Sequence, residues 1–394
     1  MPDTIGPSRG IVHEIRWSDA LPWWILFRAA GAAFSPTVIL LALLGAVAME
    51  AGWSASDRFG LTVADPQAAA VARAIETGGL ALPAPGDDFS PGSQLTSSRI
   101  ALPWLRGLVE RLPGSVRETA RLVAVPFQPT ADLVSVGAAA ARVGWFVLVW
   151  AIFGTAISRC VALNLAGEEP LGPAGAIGYG SRKWPPAVNS VLFVLLGIFA
   201  LSVPGGLLGL AMRTEWGLSL AAAIWPLVLL GAVVLAILAI GLALGWPLMV
   251  AAVGVERADS FQAISTAFSY VYQRPLHYAF YALVALAVAI PTLAAAGFLA
   301  DATATLAMWA ASLGMGHDRA VAVVDALASR GPVADTWAGD VLRFWNRGLA
   351  TLVGSFGWGY FWAIATAAYL VLRQEVDGTE LDEVVLEEPG SQPA

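Results

Sequence analysis

The chain has 394 residues, of which 57% are hydrophobic and 13% charged, with mean hydropathy +0.69 and net charge −7. A soluble domain carries about 25% charged residues, so this composition excludes a soluble enzyme, a disordered chain and a disulfide scaffold. It leaves an all-α, polytopic membrane helix bundle. The charge excess is local: seven acids from Glu375 to Glu388 follow the last apolar run, and the other 22 acids balance 22 bases. No basic patch is present to hold nucleic acid. Cys160 is the single cysteine and permits no disulfide within the chain. His13, His277 and His317 are too scattered for a His-rich metal site. One lysine, Lys183, stands beside 21 arginines in an Ala- and Gly-rich chain, which points to a high-GC bacterial genome.

A crossing needs about 20 mostly apolar residues, and six stretches qualify. The first runs from Trp23 to Ala48, interrupted by Arg28 and Pro36. The second is Val143 to Leu165, with Arg159 near its end. The third is Ala187 to Met212. The fourth, Leu218 to Val255, is far longer than one crossing and contains Pro226 and Pro247, so a bend, a break or an extension beyond the bilayer is expected. The fifth is Leu276 to Leu299 and the sixth Leu349 to Leu372. The first stretch lacks a small-residue cleavage site and is read as retained rather than as a signal peptide.

Between the first two spans, residues 82–96 read as a Pro-, Gly- and Ser-rich connector. Ile100, Leu102, Trp104, Leu105, Leu108, Val109 and Leu112 recur at helical spacing. They predict an amphipathic helix that lies on the outer membrane surface or packs as a lid on the spans. A second outer segment covers 301–340, with a helical Ala320–Leu327 stretch and a Gly331-Pro332 break. The domains so read are 1–49, an N-terminal segment with the first span; 50–137, an outer subdomain; 138–375, the membrane bundle; and 376–394, an acidic tail.

Short connections between spans set orientation through their Arg and Lys. Arg159, Arg182 and Lys183 lie between spans two and three, Arg257 and Arg274 between four and five, and Arg373 after six, against Arg213 alone between three and four. Both termini are therefore expected in the cytoplasm, with the protein in a bacterial inner membrane. A threefold repeat is also legible: a short interfacial helix on the cytoplasmic side, a proline, a span outward and a span inward with a charged exit. The helix starts are Ser18-Asp19, Gly172-Pro173 and Asp259-Ser260. The stops are Pro36, Pro185-Pro186 and Pro275, each expected to bend the chain into a span. The exits are Glu168-Glu169, Glu256-Arg257 and Arg373-Gln374-Glu375.

Three stretches carry a family resemblance: Gly154 to Leu163 (GTAISRCVAL), Asp259 to Pro275 (DSFQAISTAFSYVYQRP) and Tyr369 to Glu380 (YLVLRQEVDGTE). They resemble an uncharacterised family of multi-pass integral membrane proteins from planctomycete-type bacteria. More distantly, the helix-then-hairpin plan is similar to the membrane domain that accompanies some glycerophosphodiester phosphodiesterases. No stretch resembles the soluble phosphodiesterase domain itself. The resemblance implies a fold and assigns no activity.

Ionisable side chains at membrane depth are costly and are functional candidates by default. Arg28, Arg142, Arg159, His277, Arg343 and Arg347 lie within or at the ends of spans. Most can reach the headgroups along their own stems. Arg159 is the exception and is read as reaching the interface or pairing across to another hairpin. Tyr270, Tyr272, Arg274, His277, Tyr278 and Tyr281 form an aromatic and basic cluster at the inner edge of span five, suited to a lipid headgroup or a partner. Trp23, Trp24, Trp184, Trp216 and Trp246 fall near predicted boundaries and read as an aromatic belt. The spans hold almost no acids, which weakens an ion-coupled relay. No phosphate loop, nucleophile arrangement or paired carboxylates can be identified, and the 377–383 acidic run lacks the spacing of a calcium loop. The sequence therefore reads as a non-enzymatic scaffold or accessory subunit without cofactor or metal. Its expected partners are membrane lipids and other membrane subunits or a second copy of the chain. The alternative is a transporter or lipid-handling permease.

Overall fold

The computed structural model describes residues 21–61, 133–328 and 335–379, together with 118, 119, 122, 123, 125 and 333. The connector at 82–96, the amphipathic stretch 100–112, the Ser18-Asp19 start, the Gly331-Pro332 break and the tail beyond 379 lie outside the described residues.

The described chain is all helical apart from its turns. A 3-10 turn at Pro22–Trp24 leads into α1 (Ile25–Ala32) and α2 (Pro36–Arg58). The long helices α3 (Leu133–Ala166), α4 (Pro173–Ala211) and α5 (Glu215–Glu256) follow. Then come α6 (Ser260–Gln273), α7 (Pro275–Met315), α8 (His317–Leu327) and α9 (Trp337–Asp377). Six of these, α2 to α5, α7 and α9, are long and apolar enough to cross a membrane.

Local chemistry fixes most boundaries. Ser35, Thr214, Asp259 and Thr336 each accept a backbone N–H of the first turn, at 3.4, 3.1, 2.8 and 3.2 Å, satisfying donors that a helix start leaves unpaired. Pro36, Pro173 and Pro275 occupy first-turn positions, where a missing N–H costs nothing. The first predicted span is thus two helices, broken at Ala33–Ser35. Its membrane helix starts at Pro36 and runs on to Arg58, ten residues past the Ala48 boundary read from sequence. The expected bends at Pro185-Pro186 and in span four do not interrupt the helices. α4 is continuous through Pro185, Pro186 and Pro204, and α5 through Pro226 and Pro247.

α3, α5 and α9 pack on one another at the centre. They terminate at one end of the bundle, here the closed end. Each stops on a residue in the left-handed region: Gly167 at φ 81°, Arg257 at φ 60° and Gly378 at φ 71°. Arg257 is the one such non-glycine among the described residues. α2 lies against both α3 and α9, and α4 against both α3 and α5. α7 lies along α9. α1, the start of α4 and α6 fill the closed end. α1 touches α9, α3 and α7; the start of α4 lies on α3 and α5; α6 touches α5, α4, α7 and α9.

Forty-two residues make α5 about 63 Å long, twice the ~30 Å of a bilayer core. The register of the α4–α5 hairpin explains the excess. Lys183 and Gly245 each lie 30 residues, about 45 Å, from Arg213 and Glu215 at the hairpin tip. Past Gly245, Leu248–Val255 are buried, none of the printed values above 1% exposed. They are enclosed by α3, α9, α6 and the first turns of α4. Protein, not lipid, covers the extra length. Nearer the tip, α5 is the opposite: its most apolar window is 6% buried, against 83% for α9.

The closed end is packed to backbone contact. A Cβ built on Gly254 of α5 would lie 2.7 Å from the Ser158 Cβ and 3.1 Å from the Thr155 carbonyl oxygen of α3. One on Gly231 would meet nothing within 4 Å. Gly254→Val is therefore expected to destabilise the detergent-solubilised protein by ~2 kcal/mol or more, as overpacking does. Gly231→Val should stay within about 0.5 kcal/mol of the parent. Denaturant titration followed by tryptophan fluorescence checks both, and equal effects would contradict the packing described.

Candidate functional site

Two layers lie along the central helices. The layer further from the closed end is aromatic. Trp150 of α3 stacks on Trp358 of α9 at 4.3 Å, and Trp246 of α5 meets Trp362 of α9 edge to face at 5.3 Å. Phe146 lies 5.4 Å from Trp246 and 5.6 Å from Trp358. Trp150 and Trp362 are wholly buried. Trp246, expected in an interfacial belt, is instead part of this plug. Edge-to-face and offset pairs of this kind are favourable beyond the area they bury. The exposed Trp216, Trp309, Trp337 and Trp345 lie toward the opposite end of the bundle, where an interfacial belt is at home.

The layer at the closed end is polar. Arg159, 3% exposed, donates to the Val255 carbonyl at 3.2 Å and lies 5.4 Å from the centroid of the Tyr179 ring. It thus pairs across to another hairpin. Tyr179 of α4 donates to the Val253 carbonyl at 2.9 Å and to the Gly254 carbonyl at 3.3 Å. Arg28 of α1 donates to the Leu165 carbonyl at 3.0 Å. Arg373 of α9, 5% exposed, pairs with Glu256 of α5 at 3.2 Å. These groups answer the unpaired carbonyls and partial negative charge of helix C-termini.

The α6–α7 cluster divides by role. Tyr270, 1% exposed, donates to the Asp377 carboxylate. Burial first, then the Asp377 contact, push its phenol above the ordinary range and keep it a donor. Tyr281 of α7 donates to Glu375. Tyr272 donates to the Ile237 carbonyl, and Tyr278 to the Leu244 carbonyl at 2.9 Å. Burial also raises the Tyr272 phenol. Arg274 and His277 are exposed, at the junction between these two tyrosines. The structure therefore brings Arg159 and Tyr270 into the polar layer, Tyr272 and Tyr278 onto α5, and leaves Arg274 and His277 on the surface.

Sequence reading did not find Tyr179, Glu256, Glu375 or Asp377 as members of this layer. In sequence, Glu256 and Glu375 read only as charged span exits, and Asp377 only as part of the acidic run 377–383. Nothing in the local pattern marks Tyr179, because its acceptors lie 74 and 75 residues away. One rule now covers the layer. Three segments at the closed end each send one side chain to the end of a central helix: Arg28 from α1 to α3, Tyr179 from the start of α4 to α5, and Tyr270 from α6 to α9. Among the described residues, no group of three or more His, Cys, Asp or Glu could hold a metal ion.

No family model matches the chain, and no curated protein or solved structure shows significant similarity to it.

The Arg373–Glu256 pair is enclosed, with side-chain exposures of 6% and 20%. Arg373→Met strands Glu256 and is expected to cost ~3 kcal/mol. Adding Glu256→Met should recover at least half of that loss. A double-mutant cycle on detergent stability measures the coupling, and strictly additive losses would show that the two charges act independently.

Proposed function

We propose that the chain is a non-enzymatic scaffold or accessory subunit of a bacterial inner-membrane assembly, held among lipids by its apolar outer face. The observation that carries this reading is the aromatic plug. Where a permease needs a polar path between its halves, Trp150, Trp246, Trp358 and Trp362 fill the centre of α3, α5 and α9. The permease reading drew on an interrupted fourth span, whereas α5 is one continuous helix. The polar layer supports a rigid role too, since each of its described contacts ties one helix end to another.

The architecture we infer is three helix-hairpin repeats around the central trio. The matched left-handed stops at 167, 257 and 378 support it, as does the delivery of one polar side chain by each of three segments at the closed end. We place the closed end in the cytoplasm, because Arg182, Lys183, Arg257, Arg274 and Arg373 gather there.

Two measurements test this. In sealed liposomes the purified protein is expected to leave dye, ion and fluorescent-lipid gradients at the rate of empty vesicles. In intact membranes, chemical cross-linking is expected to give a discrete complex of fixed size. Protein-dependent flux, or a chain that remains free of cross-links, would overturn the scaffold reading. For orientation, Ser260→Cys in a Cys160→Ser background should resist an impermeant thiol reagent added outside, and labelling there would reverse the topology.

A further inference from the structure

The three seams between the inward helices are not filled alike. α2 closes the seam of α3 and α9 along most of its length, with Val38, Leu41, Ala42, Gly45, Ala46 and Met49 all buried. α4 lies against both walls of the seam between α3 and α5. The third seam, between α5 and α9, should be closed by α7. That helix packs along α9 but shares no extended contact with α5. The two meet where Tyr278 donates to the Leu244 carbonyl. Beyond that point they part. On α7, Leu286 and Leu293 continue the stripe of Tyr278 at helical spacing and are 42% and 39% exposed. On α5, Ile240, Ile237 and Val233 continue the stripe of Leu244 and are 52%, 46% and 55% exposed.

This opening is apolar along both walls, and α5 carries no charge between Glu215 and Glu256. Its narrow end is different. Arg274 and His277 are exposed there, beside the tyrosines that touch α5. The flanking Tyr272 and Tyr278 reach the carbonyls of Ile237 and Leu244, which lie 22 and 29 residues, about 33 and 44 Å, from Glu215 at the hairpin tip. An apolar opening whose walls run about 17 Å along α5 and about 23 Å along α7, deeper than half of a ~30 Å bilayer core, with a cationic mouth, suits one occupant in length and charge. We propose that the open seam between α5 and α7 seats an anionic phospholipid, its acyl chains between the two helices and its phosphate at Arg274 and His277. Arg274 supplies a fixed positive charge and a forked donor for phosphate oxygens, and His277 adds a ring N–H. The bound lipid completes the third seam that protein leaves open.

This deepens the lipid contacts of the scaffold reading, but its readout is separate: lipid retention is independent of flux and of cross-linked partners. The protein is reconstituted in nanodiscs of equal phosphatidylglycerol and phosphatidylcholine. It is then re-extracted in mild detergent, and retained lipid is counted by native mass spectrometry. The expected result is one retained phosphatidylglycerol, lost at least tenfold in R274Q/H277Q and unchanged in R182Q/K183Q, whose residues lie on α4 about 45 Å from the hairpin tip. Both pairs replace side chains that are exposed or partly exposed, so folding is expected to survive, and thermal stability checks it. Equal retention in R274Q/H277Q, equal loss in R182Q/K183Q, or no preference for the anionic lipid would each overturn the proposal. So would an intermolecular disulfide in membranes carrying Ile240→Cys with Cys160→Ser, which would give the seam to a second copy.

Discussion

The structure depends on the need to satisfy three helix ends at one place. α3, α5 and α9 are long and apolar, and they stop side by side. A helix C-terminus leaves up to four carbonyls without an intrahelical partner and concentrates about half a negative charge there. Buried without partners, such groups cost more than a lost hydrogen bond returns. The carbonyls of α3 and α5 are answered by donors brought in from elsewhere in the chain, Arg28, Tyr179 and Arg159, while at the end of α9 Tyr270 donates to the Asp377 carboxylate. Arg159 comes from α3 itself, while α1, the start of α4 and α6 deliver Arg28, Tyr179 and Tyr270. Their amphipathic character follows from the task, one face on the bundle and one polar group aimed at a helix end.

That constraint also explains how buried arginines are tolerated. Arg159 and Arg373 are nearly inaccessible, and an unpaired charge there would be prohibitive. Yet they lie beyond the level at which Lys183 and Gly245 stand, in the part of the bundle that protein encloses on its own account. The lipid-facing length of α5 ends before the charges begin. A helix of ~63 Å thus combines two environments, an apolar crossing and a protein core. Its prolines do not break it, for a physical reason. In an apolar surrounding, backbone groups released from a helix find no other partner, so the loss of one hydrogen bond at Pro226 or Pro247 is cheaper than unwinding.

Much of this was legible in sequence. Apolar runs of membrane length located all six long helices, and Pro36, Asp259 and Pro275 located three helix starts, because both signals are local. The charged residues at the ends of α5 and α9 were visible for the same reason. Trp246 was misread because an indole near a proline looks the same whether it faces headgroups or a tryptophan of another helix. The partner of Arg159 was out of reach, since a main-chain carbonyl 96 residues away has no sequence signature. Pro185 and Pro186 of α4 misled because their cost is judged against alternatives that the surroundings, not the residues, remove, whereas the excess length expected of span four is present in α5.

The unequal seams can be traced to residue size. Without a hydrophobic drive between helices in lipid, close packing needs small residues that let backbones approach. α2 presents Ala42, Gly45 and Ala46, and a Cβ on Gly45 would press on Trp150 at 3.0 Å. α4 presents Gly180, where a Cβ would lie 2.2 Å from the Ile152 carbonyl oxygen of α3. The facing stripe of α7 alternates instead, Tyr278, Ala282, Leu286, Ala289 and Leu293, and opposite it α5 carries Leu244, Ile240, Ile237 and Val233. Along these stripes α5 and α7 share no extended contact. Tyr278 then bridges the gap at its narrow end, where a long side chain with a terminal hydroxyl can still reach a carbonyl. Glycine and alanine thus mark the points where α2 and α4 approach α3 most closely, and leucine, isoleucine and valine stand on the stretch of α5 that α7 leaves uncovered.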